Sequence, residues 1–90
     1  VETVLHFAGR SGSLALVKHL VNKGLDIKAV DNSDWTVLHY AARYGSLEVV
    51  KYLVSKGLDL KLKNNWGDTA CDIAKDYDYS KIVEFLSKQQ

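Results

Sequence analysis

Histidine and cysteine are the side chains of this sequence that could most readily bind a metal or attack a substrate. His6 and His39 lie 33 residues apart, and His19 stands in a different segment. A metal site needs ligands at fixed spacing, but the sequence contains no Cys-x-x-Cys and no His-x-x-x-His. Cys71 could serve as a nucleophile beside Asp72, yet no histidine lies near it in the sequence. We therefore predict no metal and no cofactor, and we interpret Cys71 as a packed side chain.

Charged side chains elsewhere give no clearer sign of catalysis. Asp72, Asp76 and Asp78 lie close together with Lys75, but their spacing is not that of oxygen ligands for a cation. We interpret this stretch as a solvated face. The sequence also has no glycine-rich phosphate-binding loop, no Gly-x-Ser-x-Gly elbow and no EF-hand pattern. The prediction is therefore that this protein is not an enzyme.

The composition is that of one small globular domain with little net charge. The 90 residues are 47% hydrophobic and 26% charged, with a formal net charge of +1. This balance argues against a nucleic-acid or membrane partner, and the apolar runs are far shorter than the roughly 20 residues of a membrane-spanning helix. A single cysteine agrees with a reducing compartment, so we predict a cytoplasmic protein, with the nucleus left open. The sequence contains no methionine, which suggests a processed product or a piece of a longer protein.

The elements that must position these side chains repeat along the chain. Thr3, Thr36 and Thr69 are spaced by 33 residues. Between segments 3–30 and 36–63, 18 of 28 positions are identical. The chain is therefore built from internal repeats.

Within one unit the pattern indicates two helices and a turn. Thr36 occupies an N-cap position, and small alanines on the helix that follows allow another helix to approach closely. After a Gly-Ser interruption, apolar residues from Leu47 to Val54 form the stripe of a second helix, which Gly57 can end in a left-handed conformation. The alternation from Leu58 to Lys63 and the turn-rich residues 64–68 then suggest an extended segment and a hairpin-like turn.

This combination of period and motifs resembles the ankyrin repeat over nearly the whole chain. The residues that carry the resemblance are Asp31, Thr36-Val37-Leu38-His39, Ala41-Ala42, Gly45, Leu47-Glu48-Val49-Val50 and Gly57-Leu58-Asp59. The resemblance implies an all-α repeat solenoid, in which antiparallel helix pairs stack and are joined by β-hairpin-like turns. It also implies that the histidine shared by the first two units is a structural residue that bonds the neighbouring turn.

The sequence departs from the family pattern at the helix starts and at one turn. The family usually has proline at the positions of Val4, Val37 and Ala70. Without proline, the φ angle of the first helical residue is not fixed in advance, so we expect some loss of stability. Asp34 replaces the turn glycine, whereas Gly67 keeps it in the next turn. We expect Asp34 to adopt a left-handed backbone, which aspartate tolerates better than most residues.

We predict one domain over residues 1–90, made of three repeats. The first repeat, 1–30, is incomplete, the second covers 31–63, and the third covers 64–90. Polar residues replace apolar ones in the third repeat, so we interpret it as a C-terminal cap.

The first repeat shows no such cap. Leu5, Leu14 and Val17 are as apolar as their counterparts in the middle repeat. We therefore expect that further repeats or a partner cover this face, which could also mediate self-association.

Variation between the repeats indicates the functional surface. The helix-core positions hardly change, whereas the turn tips and the inward end of the first helix do. In ankyrin-like stacks these positions form a concave face that generally holds protein partners. Tryptophan, tyrosine and arginine often carry binding energy at such faces. The predicted partner-binding residues are Arg10, Asn32, Ser33, Trp35, Arg43, Tyr44, Asn65, Trp66, Asp68, Asp76 and Tyr77.

We therefore predict a non-catalytic module that binds a protein partner through this concave face. Trp35 and Trp66 could instead pack against the next turn and merely stiffen the hairpins. One alternative function is that of a purely structural linker or capping end of a longer array, which itself binds nothing. A second alternative is a targeting domain of a larger multidomain enzyme, and a third is nucleic-acid binding, which a steep salt dependence would reveal.

Overall fold

The computed structural model of the chain describes residues 4–89, which form six α-helices in three antiparallel pairs. The first helix of each pair contacts the first helix of the next, and the second helices do the same, so the pairs stack in one direction. This arrangement confirms the predicted all-α repeat solenoid. None of the described helices is long and apolar enough to cross a membrane. The helices are α1 (Val4–Ser11), α2 (Leu14–Asn22), α3 (Val37–Arg43), α4 (Leu47–Ser55), α5 (Ala70–Asp76) and α6 (Ser80–Lys88).

Reciprocal hydrogen bonds fix the starts of α3 and α5. The Thr36 hydroxyl accepts from the His39 amide at 3.3 Å, and His39 Nδ1 accepts from the Thr36 amide at 2.9 Å. Thr69 and Asp72 form the same pair at 3.2 and 3.0 Å. Each pair satisfies two amides that the first turn of a helix leaves without partners. The N-cap predicted at Thr36 is confirmed, and Thr3 lies outside the described residues.

Left-handed residues end helices and close turns. Gly57 follows α4 with a φ of 84°, as the sequence predicts. Asp34 has a φ of 61°, so the aspartate that replaces the expected glycine does occupy the left-handed region, as does Gly67 with 80° in the next turn. Asp78 after α5 is a second such aspartate, with a φ of 58°. A residue with a Cβ is destabilised in this region relative to glycine.

The core lies between successive helix pairs, where small residues let the helices approach. Ala41 and Ala74 are fully buried. A Cβ built on Gly9 would lie 2.7 Å from Val37 Cγ2, so α1 and α3 are in direct contact there. Cys71 is buried in the same core, which confirms its interpretation as a packed side chain.

The connection between α4 and α5 differs in part from the prediction. A turn interrupts the segment predicted to be extended, because the Asp59 side chain accepts a hydrogen bond from the Lys61 amide at 2.9 Å. The hairpin-like turn that follows is present, since the Asn64 amide donates to the Asp68 carbonyl at 3.0 Å. No β-strand occurs in the described part of the chain. Alternating polarity does not produce a strand there, because a strand also needs a paired neighbour.

The first helix exposes apolar side chains. Val4 and Phe7 are 61% and 49% exposed. Val37 and Ile73 occupy the equivalent positions of later repeats and are buried, because α1 packs against α3 and α3 against α5.

The sequence-based choice of residues for this apolar face was wrong in detail. Leu5 and Val17 belong to the buried core, and Leu14 is half-buried. Leu5 follows Val4 directly, and consecutive helical residues point in different directions, so only one of the two can face away from the stack.

The opposite end of the stack is polar. Lys75 is exposed at the position where Ala42 of the second repeat is fully buried. Ser80 is likewise exposed where Leu47 is half-buried. Because its side chains are polar, this end of the stack can remain in contact with water.

Candidate partner-binding site

Two turns with the same main-chain geometry form the tips of the stack. In the first turn (31–35), the Asp31 amide donates to the Trp35 carbonyl at 3.1 Å. In the second turn (64–68), the Asn64 amide donates to the Asp68 carbonyl at 3.0 Å. One side-chain oxygen holds each turn from inside, because Asp31 Oδ1 and Asn64 Oδ1 each accept hydrogen bonds from two amides. Aspartate and asparagine share this acceptor, so either residue specifies the turn.

A main-chain hydrogen bond joins the two turns. The Asn65 amide donates to the Ser33 carbonyl at 3.0 Å. The tips therefore form one continuous row, and the side chains that they carry are held in fixed positions relative to one another.

His39 anchors the second turn to α3. Its Nε2 lies 3.0 Å from the Asp68 carbonyl oxygen, and His6 Nε2 makes a similar contact with the Ala29 carbonyl oxygen at 2.9 Å. Because Nδ1 of His39 accepts from the Thr36 amide, Nε2 carries the proton and donates to Asp68. Burial lowers the pKa of His39 below its ordinary value, although the hydrogen bond to Asp68 opposes this shift. The structural role that the resemblance implied for this histidine is confirmed.

The Asp31 side chain receives hydrogen bonds on both oxygens. Oδ1 accepts from the amides of Ser33 and Trp35 at 2.8 and 3.0 Å, and Oδ2 accepts from the Tyr40 hydroxyl. Partial burial acts to raise the pKa of this carboxyl, but these hydrogen bonds and the nearby His6 lower it overall. Asp31 is therefore charged at neutral pH, and both of its oxygens are engaged by the fold.

Trp35 and Trp66 come from successive turns and meet edge to face. Their ring centroids are 5.9 Å apart, and the ring planes are at 88°. Trp35 is half-buried and also lies 5.1 Å from the Tyr40 ring and 5.9 Å from the His39 ring. Trp66, in contrast, is 71% exposed. The packing alternative thus describes Trp35 well, whereas Trp66 presents most of its surface to solvent.

Arg43 lies between two tyrosine rings at the end of α3. Its guanidinium carbon is 4.7 Å from the Tyr44 ring centroid and 4.0 Å from the ring centroid of Tyr77, which belongs to the next helix pair. Tyr77 stacks in turn on Tyr79, with 6.1 Å between the centroids. Contact with the two rings restricts the guanidinium, and no group in the described part of the chain accepts a hydrogen bond from it.

These side chains line two adjoining depressions on the face formed by the turns and the first helices. We name them the Arg43 pocket, of about 200 Å³, and the Asp76 pocket, of about 260 Å³. The two pockets share Trp35, Arg43 and Trp66. The Arg43 pocket is also lined by Asp31, Ser33, Tyr40 and Tyr44, and the Asp76 pocket by Asp68, Ile73, Asp76 and Tyr77.

Most of the predicted partner-binding residues therefore lie together, although their role in binding stays a prediction. Asn32 and Asn65 are exposed on the turns but do not line either pocket. Arg10 lies apart, with its guanidinium 5.1 Å from the Phe7 ring centroid.

Sequence reasoning missed three residues of the pockets, which are Asp31, Tyr40 and Ile73. In the sequence, Asp31 is recognisable only as part of the repeat motif. A signal for Tyr40 existed in the repeat itself, because Phe7 and Ile73 occupy the equivalent positions and Tyr40 alone carries a hydroxyl. That hydroxyl is the group that bonds Asp31.

The surface also has depressions outside these two pockets. A depression of about 390 Å³ lies beside α6, but Lys75, Asp78, Ser80, Val83 and Glu84 line it without an aromatic side chain. Within residues 4–89, no group of His, Cys, Asp and Glu side chains is placed to hold a metal ion.

Comparisons with known proteins give a family and a structural neighbour. A sequence model of ankyrin repeats in three copies matches residues 5–90. Among solved structures, an ankyrin-repeat immunity protein matches with a TM-score of 0.92 and 42% sequence identity. It was solved in complex with a predatory endopeptidase from Bdellovibrio bacteriovorus. The match covers 96% of this chain and 45% of that one, so this chain spans less than half the length of its neighbour. None of the curated proteins matches the chain.

Proposed function

Because this chain belongs to the ankyrin-repeat family, we propose that it is a non-catalytic module that binds a protein partner through its turns and first helices. The observation that carries the proposal is a cluster of exposed rings around Arg43. Tyr44, Trp66 and Tyr77 are 46%, 71% and 45% exposed. Aromatic rings and arginine bring large contact areas with polar groups, which is typical of residues that dominate binding energy. Folding alone does not require a tryptophan to be this exposed.

The rigidity of the turns supports the same function. Each turn is closed by main-chain hydrogen bonds, held by a side-chain oxygen, and joined to its neighbour. A partner that binds such a surface does not have to order it first, so less conformational entropy is lost on association.

We assign no catalytic step to this face. Asp31, which lines the Arg43 pocket, and His39, which packs against Trp35, have shifted pKa values, and both are engaged in hydrogen bonds that hold the turns. Neither is presented to a substrate as a general acid or base would be.

We further propose that the partner is a peptidase, as it is for the immunity protein. The observation that favours this class is the neighbour's 42% identity over 96% of this chain, together with its complex with an endopeptidase. The test is to purify a partner by affinity capture, separate it from this chain and assay it for peptide hydrolysis. Hydrolysis by that partner is expected, and a partner that binds this chain saturably but hydrolyses no peptide would contradict the proposal.

A second candidate function is that of one section in a longer stack. The exposed Val4 and Phe7 favour it, because the equivalent Val37 is fully buried against the preceding helix pair. In this case the apolar face of α1, and not the aromatic pockets, would hold the principal contact.

One pair of variants separates these candidates. The first removes the exposed rings of the pockets (Tyr44→Ala, Trp66→Ala and Tyr77→Ala together), and the second, Phe7→Ser, changes an exposed ring on α1. Circular dichroism establishes that both variants are as helical as the unmodified chain. Each is then titrated calorimetrically against a partner that has been purified by affinity capture.

The expected result is at least a tenfold rise in Kd for the triple variant and little change for Phe7→Ser. The reverse result would contradict the proposed function and support a section of a longer stack. Equal, unchanged affinity for both variants would show that neither face holds the partner.

A further inference from the structure

We infer that the two pockets receive side chains of opposite charge from one segment of the partner, an acidic group at Arg43 and a basic group at Asp68 and Asp76. The inference rests on the proposed function and specifies the chemistry of the partner at the same site. It depends on which charged groups the fold already uses and which it leaves available.

In the Arg43 pocket, the available charge is positive. The Asp31 carboxylate accepts hydrogen bonds from Ser33, Trp35 and Tyr40, so its oxygens are occupied. Arg43 is different, because no group among residues 4–89 accepts a hydrogen bond from its guanidinium. Two tyrosine rings hold this guanidinium in place, at 4.7 and 4.0 Å from its central carbon. A guanidinium that is held beside two rings and has no acceptor for its N–H groups can pair with the two oxygens of a carboxylate.

In the Asp76 pocket, the available charge is negative. The side-chain carboxylates of Asp68 and Asp76 have no hydrogen-bond or ion-pair partner in the described part of the chain. The perpendicular rings of Trp35 and Trp66 form the wall beside them. Indole faces and carboxylates both attract a cation, such as a lysine ammonium or an arginine guanidinium. Arg43 also lines this pocket, but its charge lies against the Tyr77 ring, and two carboxylates exceed it.

The change of sign follows the repeat. Positions 10, 43 and 76 are equivalent and carry Arg, Arg and Asp, and positions 35 and 68 carry Trp and Asp. The scaffold is therefore the same at both pockets, while the charge reverses between the second and the third helix pair. This reversal of charge does not affect the geometry of the turns. It therefore affects which partner groups each pocket binds.

The packing of the helices sets the spacing of the two groups. The helices α3 and α5, which carry Arg43 and Asp76, pack directly against each other. Neighbouring helix axes lie about 8–10 Å apart. A polyproline II chain is extended, rises about 3.1 Å per residue and returns to the same face every three residues, so side chains three positions apart span this distance on one face. The partner segment is thus extended and carries an acidic and a basic residue about three positions apart.

The test selects binders without assuming a partner. A library of random linear peptides displayed on phage is selected on the unmodified chain after depletion on Trp66→Ala, a variant whose folding is checked by circular dichroism. The expected consensus contains an acidic and a basic residue about three positions apart. No enrichment over the Trp66→Ala chain would contradict the proposed function and the inference together. Enriched peptides without this charge pair would overturn the inference and leave the proposed function standing.

Synthetic peptides from the selection then assign each charge to its pocket. Arg43→Gln should weaken binding at least tenfold for a peptide with its acidic residue and have little effect once that residue is replaced by its amide. Asp76→Asn should behave in the same way towards the basic residue of the peptide. The matched controls Lys63→Gln and Glu48→Gln remove one charge of each sign at exposed positions outside both pockets. Equal losses in the controls would show a general charge effect and would overturn the inference.

Discussion

The first and second turns share one main-chain fold and differ in most other respects. Asp31 and Asn64 occupy the same position, and each holds its turn through Oδ1. The other terminal atom of each side chain differs in its contacts. Asp31 Oδ2 accepts a hydrogen bond from the Tyr40 hydroxyl, whereas Asn64 Nδ2 has no hydrogen-bond partner in the described part of the chain. Ile73 occupies the position equivalent to Tyr40, so the second turn has no tyrosine hydroxyl at this place that could form a hydrogen bond with Asn64. One acceptor atom is thus enough to specify the turn, and the other positions can vary with the partner.

The tryptophans are examples of side chains that differ between the two turns. Trp35 ends the first turn and packs against Tyr40 and His39, whereas Trp66 stands in the middle of the second turn and is mostly exposed. At the end of the second turn, Asp68 replaces tryptophan and adds a carboxylate to the surface. The aromatic side chain of the first turn is therefore packed against the fold, whereas that of the second turn adds to the surface that we propose for binding.

The largest effect is expected where α3 holds the second turn. His39→Ala removes the donor to the Asp68 carbonyl and the acceptor for the Thr36 amide, and it leaves a cavity at a buried site. We expect the free energy of unfolding to fall by about 3 kcal/mol in urea denaturation. Asp72→Ala is the matched control, because Asp72 forms only the cap of α5 within the described residues and should cost about 1 kcal/mol. Equal losses would show that the bond to the second turn contributes nothing.

A smaller effect is expected where the first turn has a bond that the second lacks. Tyr40→Phe removes the hydroxyl that donates to Asp31 Oδ2. We expect a loss of about 1–2 kcal/mol, because the acceptor is ionised and part-buried. A double-mutant cycle with Asp31→Asn isolates this pair. An interaction energy near zero would mean that the hydroxyl does not stabilise the first turn.

A reciprocal exchange of the left-handed residues should give changes of about 1 kcal/mol with opposite signs. Asp34→Gly should stabilise the protein by relieving a φ of 61°, and Gly67→Asp should destabilise it at a φ of 80°. A Cβ on Gly67 meets no atom within 4 Å, so the second change reports the backbone alone. Thermal unfolding of both variants provides the measurement. Changes of the same sign would show that side-chain contacts, and not φ, dominate at these positions.

The smallest expected effect is a dependence of the free energy of unfolding on pH. The pKa of His39 is lowered in the folded state, so the unfolded chain binds this proton first, and stability falls as the pH drops below the ordinary value of 6.5. The pKa of Asp31 is also lowered, so a further loss follows as the pH falls below 3.8. Urea denaturation across pH should show the first loss reduced in His39→Gln and the second reduced in Asp31→Asn. Slopes identical to those of the unmodified chain would contradict both assignments.

Much of the fold could be predicted because each helix buries one face against its neighbours. Because of this requirement, the same positions are apolar in every repeat, and a period of 33 residues therefore indicates the helix pairs. The Thr36 cap and the left-handed Gly57 could also be predicted, since each depends on a few adjacent residues.

Contacts between repeats could not be predicted in the same way. The contact of Arg43 with Tyr77 and the meeting of Trp35 with Trp66 depend on the offset between successive pairs. No local pattern encodes that offset. Exposed apolar residues of α1 were misplaced for a related reason, because Val4 and Leu5 are equally apolar and only the rotation of the helix decides which is buried.

One backbone proton reports how firmly the second and third helix pairs are docked. The Asn65 side chain is exposed, yet its amide proton is bound to the Ser33 carbonyl of the preceding turn. Exchange of that proton for deuterium therefore requires the two tips to part. Its protection factor measures the free energy of this opening, and a ligand that spans both turns would slow the exchange without touching Asn65 itself.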